Sequence, residues 1–169
     1  MSSIGDSVTA AAAYLAEHPD EARYRDSHAQ ARLGDDLRVS ISGPGGETMA
    51  TDMPRGIGGG ASVPSPGWFF RAAAAACVAS LIGIRAGMIG LELPAGSVVV
   101  TVDSESDDRG ILGLDAAIPA GALSMRVAVG LVATSVDRST FEEVVRWAVD
   151  HCPVTDTARR AVPVEVEIG

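Results

Sequence analysis

Apolar positions along the chain repeat with two periods. Ile4, Val8, Ala11, Ala12 and Leu15 fall at helical spacing, predicting a short amphipathic helix over residues 4–18 that ends near His18-Pro19. Alternation then takes over in SHAQARL (27–33) and LRVSISG (37–43), which flank the turn residues Gly34-Asp35-Asp36 and predict a β-hairpin. A third short strand over Glu47–Thr51 follows Gly43-Pro44-Gly45-Gly46. Pro54–Pro66, with four glycines and three prolines, is a loop.

The helical period returns at Pro66, a residue suited to a first helical turn, and runs to about Met88. The interior of this helix, Ala72–Ala76 followed by Cys77, Val78, Ala79, Ser80, Leu81 and Ile82, is apolar on all sides, which calls for enclosure by other protein. Enclosing it in so small a chain is difficult, so the pattern favours a homodimer in which two such helices cover each other. Its longest uncharged run, Ala72–Ile84, is 13 residues, short of the ~20 that span a bilayer. Past Pro94-Ala95-Gly96, strands are predicted over 97–106 and 123–133, separated by the charged turn Asp107–Gly110. Ser139-Thr140-Phe141-Glu142 fits a capping box with Ser139 as N-cap, opening a helix that ends at Asp150–Pro153. Val162–Ile168 alternates as a final strand, with Pro163 marking an edge or a strand start. The order βββ-α-ββ-α-β gives an α+β fold. At 169 residues the chain is expected to be one domain, with residues 1–26 a helical extension.

Composition narrows the chemistry. There is no Lys, so a Schiff-base or phosphate-gripping lysine is excluded, and all 13 cations are Arg. A net charge of −9 speaks against nucleic acid as a partner. His18, His28 and His151 are scattered with no Cys/His ligand pair, so no metal site is expected. Ser104–Gly110 is acidic but lacks regular oxygen-ligand spacing, and reads as a solvated turn. The N-terminus has no charged segment leading into an apolar block, which places the protein in the cytoplasm, where thiols are kept reduced.

Two cysteines remain. Cys77, in an Ala-rich helix, could be a small packing residue. Cys152 lies in the polar turn His151-Cys152-Pro153-Val154, read as an exposed helix end, where mere space-filling is less expected. Together they suit a reactive thiolate and a resolving thiol. His151 is a base for the second thiol or, more ordinarily for a helix-terminal His, a partner of the helix dipole.

Three segments resemble the OsmC/Ohr family of small dimeric thiol peroxidases, over roughly residues 27–168. Met53-Pro54-Arg55-Gly56-Ile57-Gly58-Gly59-Gly60 is similar to the family's loop before its central helix. Pro64-Ser65-Pro66-Gly67-Trp68-Phe69-Phe70, leading into Arg71–Cys77, is similar to the helix that carries the reactive cysteine. Cys152-Pro153-Val154-Thr155-Asp156-Thr157-Ala158-Arg159 is similar to the segment with the resolving cysteine.

The resemblance implies antiparallel sheets wrapped around long central helices in an intertwined homodimer. It implies a peroxidase that reduces organic hydroperoxides in an oxidative stress response, with no metal or organic cofactor and no membrane or nucleic-acid partner. Cys77 would attack the peroxide, Cys152 would resolve the sulfenic acid as a disulfide, and an external dithiol, typically a lipoylated protein, would reduce it. An Arg on an early strand or its turn would activate the thiolate; Arg38 is the nearest match and Arg32 the second. The family's Glu, which holds that Arg, is replaced here by Gly67, and the nearest upstream carboxylate is Asp52. Trp68 and Phe69 then either pack in the core or dimer, or wall a pocket for an apolar ligand. The alternative function is a non-catalytic relative that binds an apolar small molecule at the dimer interface.

Overall fold

In a computed structural model, which describes residues 3–132 and 136–169, helices and antiparallel strands follow one another as α1 (Ile4–Glu17), β1 (Gln30–Leu33), β2 (Val39–Ser42), β3 (Thr48–Thr51), α2 (Pro66–Met88), β4 (Val98–Glu105), α3 (Asp108–Ile111), β5 (Ser124–Leu131), α4 (Arg138–Asp150) and α5 (Pro153–Arg159). This is the expected α+β class. The chain divides into two compact units, one of Ala11–Phe70 and one of 1–10 with Arg71–Gly169, so the boundaries fall inside α1 and α2.

The first unit is a three-stranded antiparallel meander in which Leu33 faces Val39 and Val39 faces Thr51. Its first turn is tight: the Gly34 N–H bonds the Arg38 carbonyl at 2.7 Å, with Asp36 and Leu37 at positive φ. Arg38 therefore leaves the turn at a fixed point. After β3 the chain wraps around Asp52 as a glycine-rich loop. Gly59 passes so close to the Met53 carbonyl that no side chain would fit there.

The second unit carries a core of Val78 and Ile82 from α2, Phe141, Val144 and Ala148 from α4, and Cys152. Strands β4 and β5 pair antiparallel, Val98 against Leu131 through Glu105 against Ser124, and alternate in burial along their whole length. Val98, Val100, Val127, Val129 and Leu131 thus turn toward the helices. At the far end of α2, Gly87 meets Gly5 of α1 backbone to backbone, a crossing that a Cβ on either residue would obstruct.

Four expectations change. α2 has the predicted bounds, but within one chain only the stripe Ala74, Val78, Ile82, Ala86 is buried, while Ala73, Ala76, Ala79 and Ser80 face outward. At 23 residues, with mean hydropathy 1.6 over its most apolar window and 17% of that window buried, the helix has the length and composition to cross a membrane. Counting only uncharged residues missed this, because Arg71 and Arg85 lie within the helix.

The N-cap of α4 is Asp137, not Ser139: its carboxylate accepts from the Thr140 N–H at 2.8 Å and from both the Ser139 and Thr140 hydroxyls, while Glu142 pairs with Arg138 and Arg146. A charged oxygen is the stronger acceptor and displaces the hydroxyl from the cap. Replacing Asp137 by Ala should lower the melting temperature by about 2–4 °C, read by thermal denaturation.

The segment after Cys152, expected as a turn, is the helix α5, with Pro153 in its first turn. Finally, residues 162–168 form no ladder among the described residues, leaving Val164, Val166 and Ile168 85%, 78% and 93% exposed. Alternation marks the two faces of a strand but cannot supply the neighbouring edge its backbone needs, and among the described residues β4 and β5 pair only with one another. The end of the preceding strand expected at Ala133 lies outside the described residues, and β5 stops at Leu131.

Candidate active site

Cys77 and Cys152, 75 positions apart in sequence, are neighbours in the fold. α2 presents Cys77 one residue before the buried Val78. α4 ends at Asp150, and the backbone then turns into α5, carrying Cys152 onto the same packed surface. Each thiol lies close enough to shift the other's pKa, Cys77 packs against the core cluster that holds Cys152, and neither is in a disulfide.

Their surroundings differ. Cys152 is wholly buried, so the exposed helix end expected for it is corrected: α5 folds it inward against the α2–α4 core. Cys77 is only part-buried and is the more accessible sulfur. Desolvation pushes the Cys77 thiol above its ordinary pKa, its bond to Cys152 pushes further, and the Val154 N–H opposes both. Desolvation also acts on Cys152, but the Thr155 N–H, the Cys77 thiol, the Thr155 hydroxyl and the Val154 N–H together outweigh it and bring that thiol below its ordinary value. Thr155 is itself buried, donating from Oγ1 to the carbonyls of Val149 at 2.9 Å and Cys152 at 3.2 Å. It thereby locks α5 onto the end of α4. The sequence signal for it was present, in the Cys-Pro-Val-Thr run, but its role needed the geometry.

His151 takes its ordinary role. It caps α4, stacks on Trp147 at 4.2 Å, and its Nδ1 lies 2.8 Å from the Trp147 carbonyl, so it is held against its own helix. The arginines on α2 are engaged elsewhere: Arg71 donates to the Ser104 hydroxyl at 3.3 Å, and Arg85 stacks over the Trp147 ring at 5.3 Å.

The other candidates, Arg32, Arg38, Trp68 and Phe69, belong to the first unit. Arg32 is exposed on β1 opposite Ser40. Trp68 and Phe69, in the first turn of α2, meet edge to face at 5.3 Å, with Trp68 48% exposed. Arg38 donates from one terminal nitrogen to the Ser62 hydroxyl at 2.8 Å. That hydroxyl donates to Asp52, whose buried carboxylate also accepts from the N–H groups of Met53, Gly60 and Ser62. The Ser62 N–H and hydroxyl hold the Asp52 pKa down at about 2, against some desolvation and with help from Gly60 and Met53. A group with a depressed folded pKa stabilises at all pH above its ordinary value, so the loop should loosen only as pH falls toward about 2. Asp52 was noted in the sequence only as the nearest carboxylate, and Ser62 gave no signal there.

An open groove of about 580 Å³ lies elsewhere on the second unit, lined by Val127, Val129, Leu131, Phe141, Val145 and Val149. Neither cysteine lines it. No cluster of His, Cys, Asp or Glu among the described residues has the makings of a metal site.

An α+β architecture with a paired dithiol between its long helix and the end of α4 is a narrow class of protein. The chain belongs to the family of OsmC-like proteins, whose model matches residues 59–167. No curated protein sequence matches it. Among solved structures it is similar to an osmotic stress and detoxification response protein of Psychrobacter arcticus, at 20% identity and TM-score 0.62 over 80% of this chain and 90% of that one. It is also similar to an organic hydroperoxide resistance protein OsmC of Legionella pneumophila, at 22% identity and TM-score 0.57 over 81% and 91%. An OsmC-like protein of Mycoplasma pneumoniae matches at 12% identity and TM-score 0.68 over 82% and 91%. These likenesses establish the fold.

Proposed function

We propose that the protein is a cytoplasmic, homodimeric, thiol-dependent peroxidase that reduces organic hydroperoxides. The observation that supports this best is the proximity of an accessible thiol to a buried one whose pKa is shifted down. Two cysteines that serve only packing have no need to be neighbours that shift each other's ionisation in such unequal environments. The Cys77 thiolate attacks the peroxide, forming an S–O bond and breaking O–O; the alkoxide takes up a proton and leaves as alcohol, and Cys77 becomes a sulfenic acid. The Cys152 thiolate then attacks that sulfur, an S–S bond forms, and hydroxide leaves as water after protonation. The downward shift of the Cys152 pKa suits this second step, since it favours the thiolate that attacks. An external dithiol, which the family resemblance makes a lipoylated protein, returns the disulfide to two thiols.

Cys77 needs help for the first step, because its own surroundings raise its pKa, and Arg71 and Arg85 are committed elsewhere. We assign that task to Arg38, as the family resemblance does. The test is dithiol-dependent consumption of an alkyl hydroperoxide. Cys77→Ser should lower it by at least a hundredfold; unchanged turnover would end the enzymatic reading and leave the non-catalytic binder of an apolar molecule.

A further inference from the structure

Resting on the peroxidase reading, we propose that Thr155 is a positioning residue for disulfide closure: its hydroxyl latches α5 to the end of α4 and so holds Cys152 in place to attack Cys77. The need for a latch comes from the chain itself. In a continuing α-helix the Val149 carbonyl would take its hydrogen bond from residue 153, and Pro153 has no N–H to give. The Thr155 hydroxyl supplies the missing donor, reaching the Val149 carbonyl at 2.9 Å. Its second acceptor, the Cys152 carbonyl at 3.2 Å, already receives the Asp156 N–H at 2.9 Å. A hydroxyl has a single proton, and Val149 is both the nearer and the needier acceptor.

Other polar ties to α5 are weaker. Cys152, the residue before the helix, makes no capping bond through its side chain. The Arg159–Asp150 pair also joins α5 to α4, but at 3.5 Å with both side chains exposed it contributes little. The latch is shielded from solvent: Thr155 is 2% and Cys152 0% exposed, so water does not replace a bond lost there. Against the desolvation of that site, the Thr155 N–H also favours the Cys152 thiolate, so one residue governs both the place and the ionisation of the resolving sulfur. Resolution depends on that place. The Cys152 thiolate must approach the Cys77 sulfenic acid in line with its S–O bond, forming S–S as hydroxide departs and is protonated to water. The peroxide step uses Cys77 alone and needs none of this.

The two steps can be timed separately. The reduced full-length protein is mixed with one equivalent of tert-butyl hydroperoxide and quenched at intervals. Loss of hydroperoxide reads the first step; mass spectrometry of the intrachain disulfide, and of the dimedone adduct on Cys77, reads the second. In Thr155→Val, which keeps the shape without the hydroxyl, the first step should hold to within about twofold while closure slows about tenfold and the adduct accumulates. Thr155→Ser, which keeps the hydroxyl, should restore closure to within about twofold. A Thr155→Val protein that closes its disulfide as fast as the wild type overturns the latch and leaves the peroxidase reading standing. Both steps slowing together, with a lowered melting temperature, would make Thr155 merely structural and overturn it as well. Closure that Thr155→Ser fails to restore, at an unchanged melting temperature, removes the hydroxyl from the account. If the wild type itself loses no hydroperoxide, the peroxidase reading ends and this inference falls with it.

Discussion

One equivalent of an alkyl hydroperoxide should remove both free thiols from the reduced protein, and leave a single-chain band on a denaturing gel without reductant. The two thiols already influence each other's ionisation, and Cys77 packs against the Val78–Val144 core cluster that contains Cys152, so the bond would close between neighbours. The bond would be intrachain, and it would enclose a loop of 75 residues. Loop-closure entropy alone then stabilises the oxidised form by about 4 kcal/mol. For a domain of this size that corresponds to a rise in melting temperature of roughly 10 °C, easily seen by calorimetry with and without dithiothreitol. Both thiols still titrating after stoichiometric peroxide would reduce the pair to packing residues, and the peroxidase with them.

The same experiment divides the labour between the sulfurs. In Cys152→Ser no disulfide can form within the chain, so peroxide should leave Cys77 as a sulfenic acid that a dimedone-type reagent captures. In Cys77→Ser the wholly buried Cys152 should stay reduced over the same interval, despite being the more acidic thiol. Acidity without access does not make a nucleophile. Trapping on Cys152 instead of Cys77 would reverse the two roles.

What could be read from the sequence, and what could not, follows one physical line. Elements whose information is local came through: α2 with both its ends, the hairpin around Gly34–Asp36, and the alternation of β4 and β5. The cap of α4 went to Asp137 because Asp and Ser have similar statistical cap propensities, so the pattern cannot choose between them, while the charged oxygen is the stronger acceptor of the Thr140 N–H. α5 was hidden because a helix of 7 residues, Pro153–Arg159, has too few turns to show a period. For the candidate site, the residue types were legible and their partners were not. The meeting of Cys77 with Cys152 depends on the exact length of α4 and on Thr155 fastening α5, and the Arg38–Ser62–Asp52 chain joins three loop positions with no common spacing. Sequence periodicity reports which face of an element is apolar; it says nothing of which side chains converge from different elements.

In solution the protein should sediment at twice the 17.3 kDa of one chain, and Ala73→Glu should shift it to the monomer. α2 buries Ala74, Val78, Ile82 and Ala86 within its own chain, yet Ala73, Ala76 and Ser80, on the opposite side, are exposed on a helix with mean hydropathy 1.6. Small residues there leave a smooth surface that a second helix could approach closely. The apolar residues left outside the ladder at the C-terminus, Val164, Val166 and Ile168, make the same demand. Covering each would contribute about 1.5–3 kcal/mol, so a second copy is favoured by far more than the side-chain ordering it imposes. Ala73→Glu discriminates well, because Glu is a good helix former and an exposed Ala→Glu change on a monomer costs under about 0.5 kcal/mol. Against an opposing apolar helix the same carboxylate is buried without a partner, which costs several kcal/mol and should weaken association by at least a hundredfold. Equilibrium sedimentation reads both numbers. A wild-type chain that stays at 17.3 kDa at micromolar concentration would remove the dimer from the proposal. A wild-type dimer that Ala73→Glu leaves intact would place the interface on the strands and away from α2.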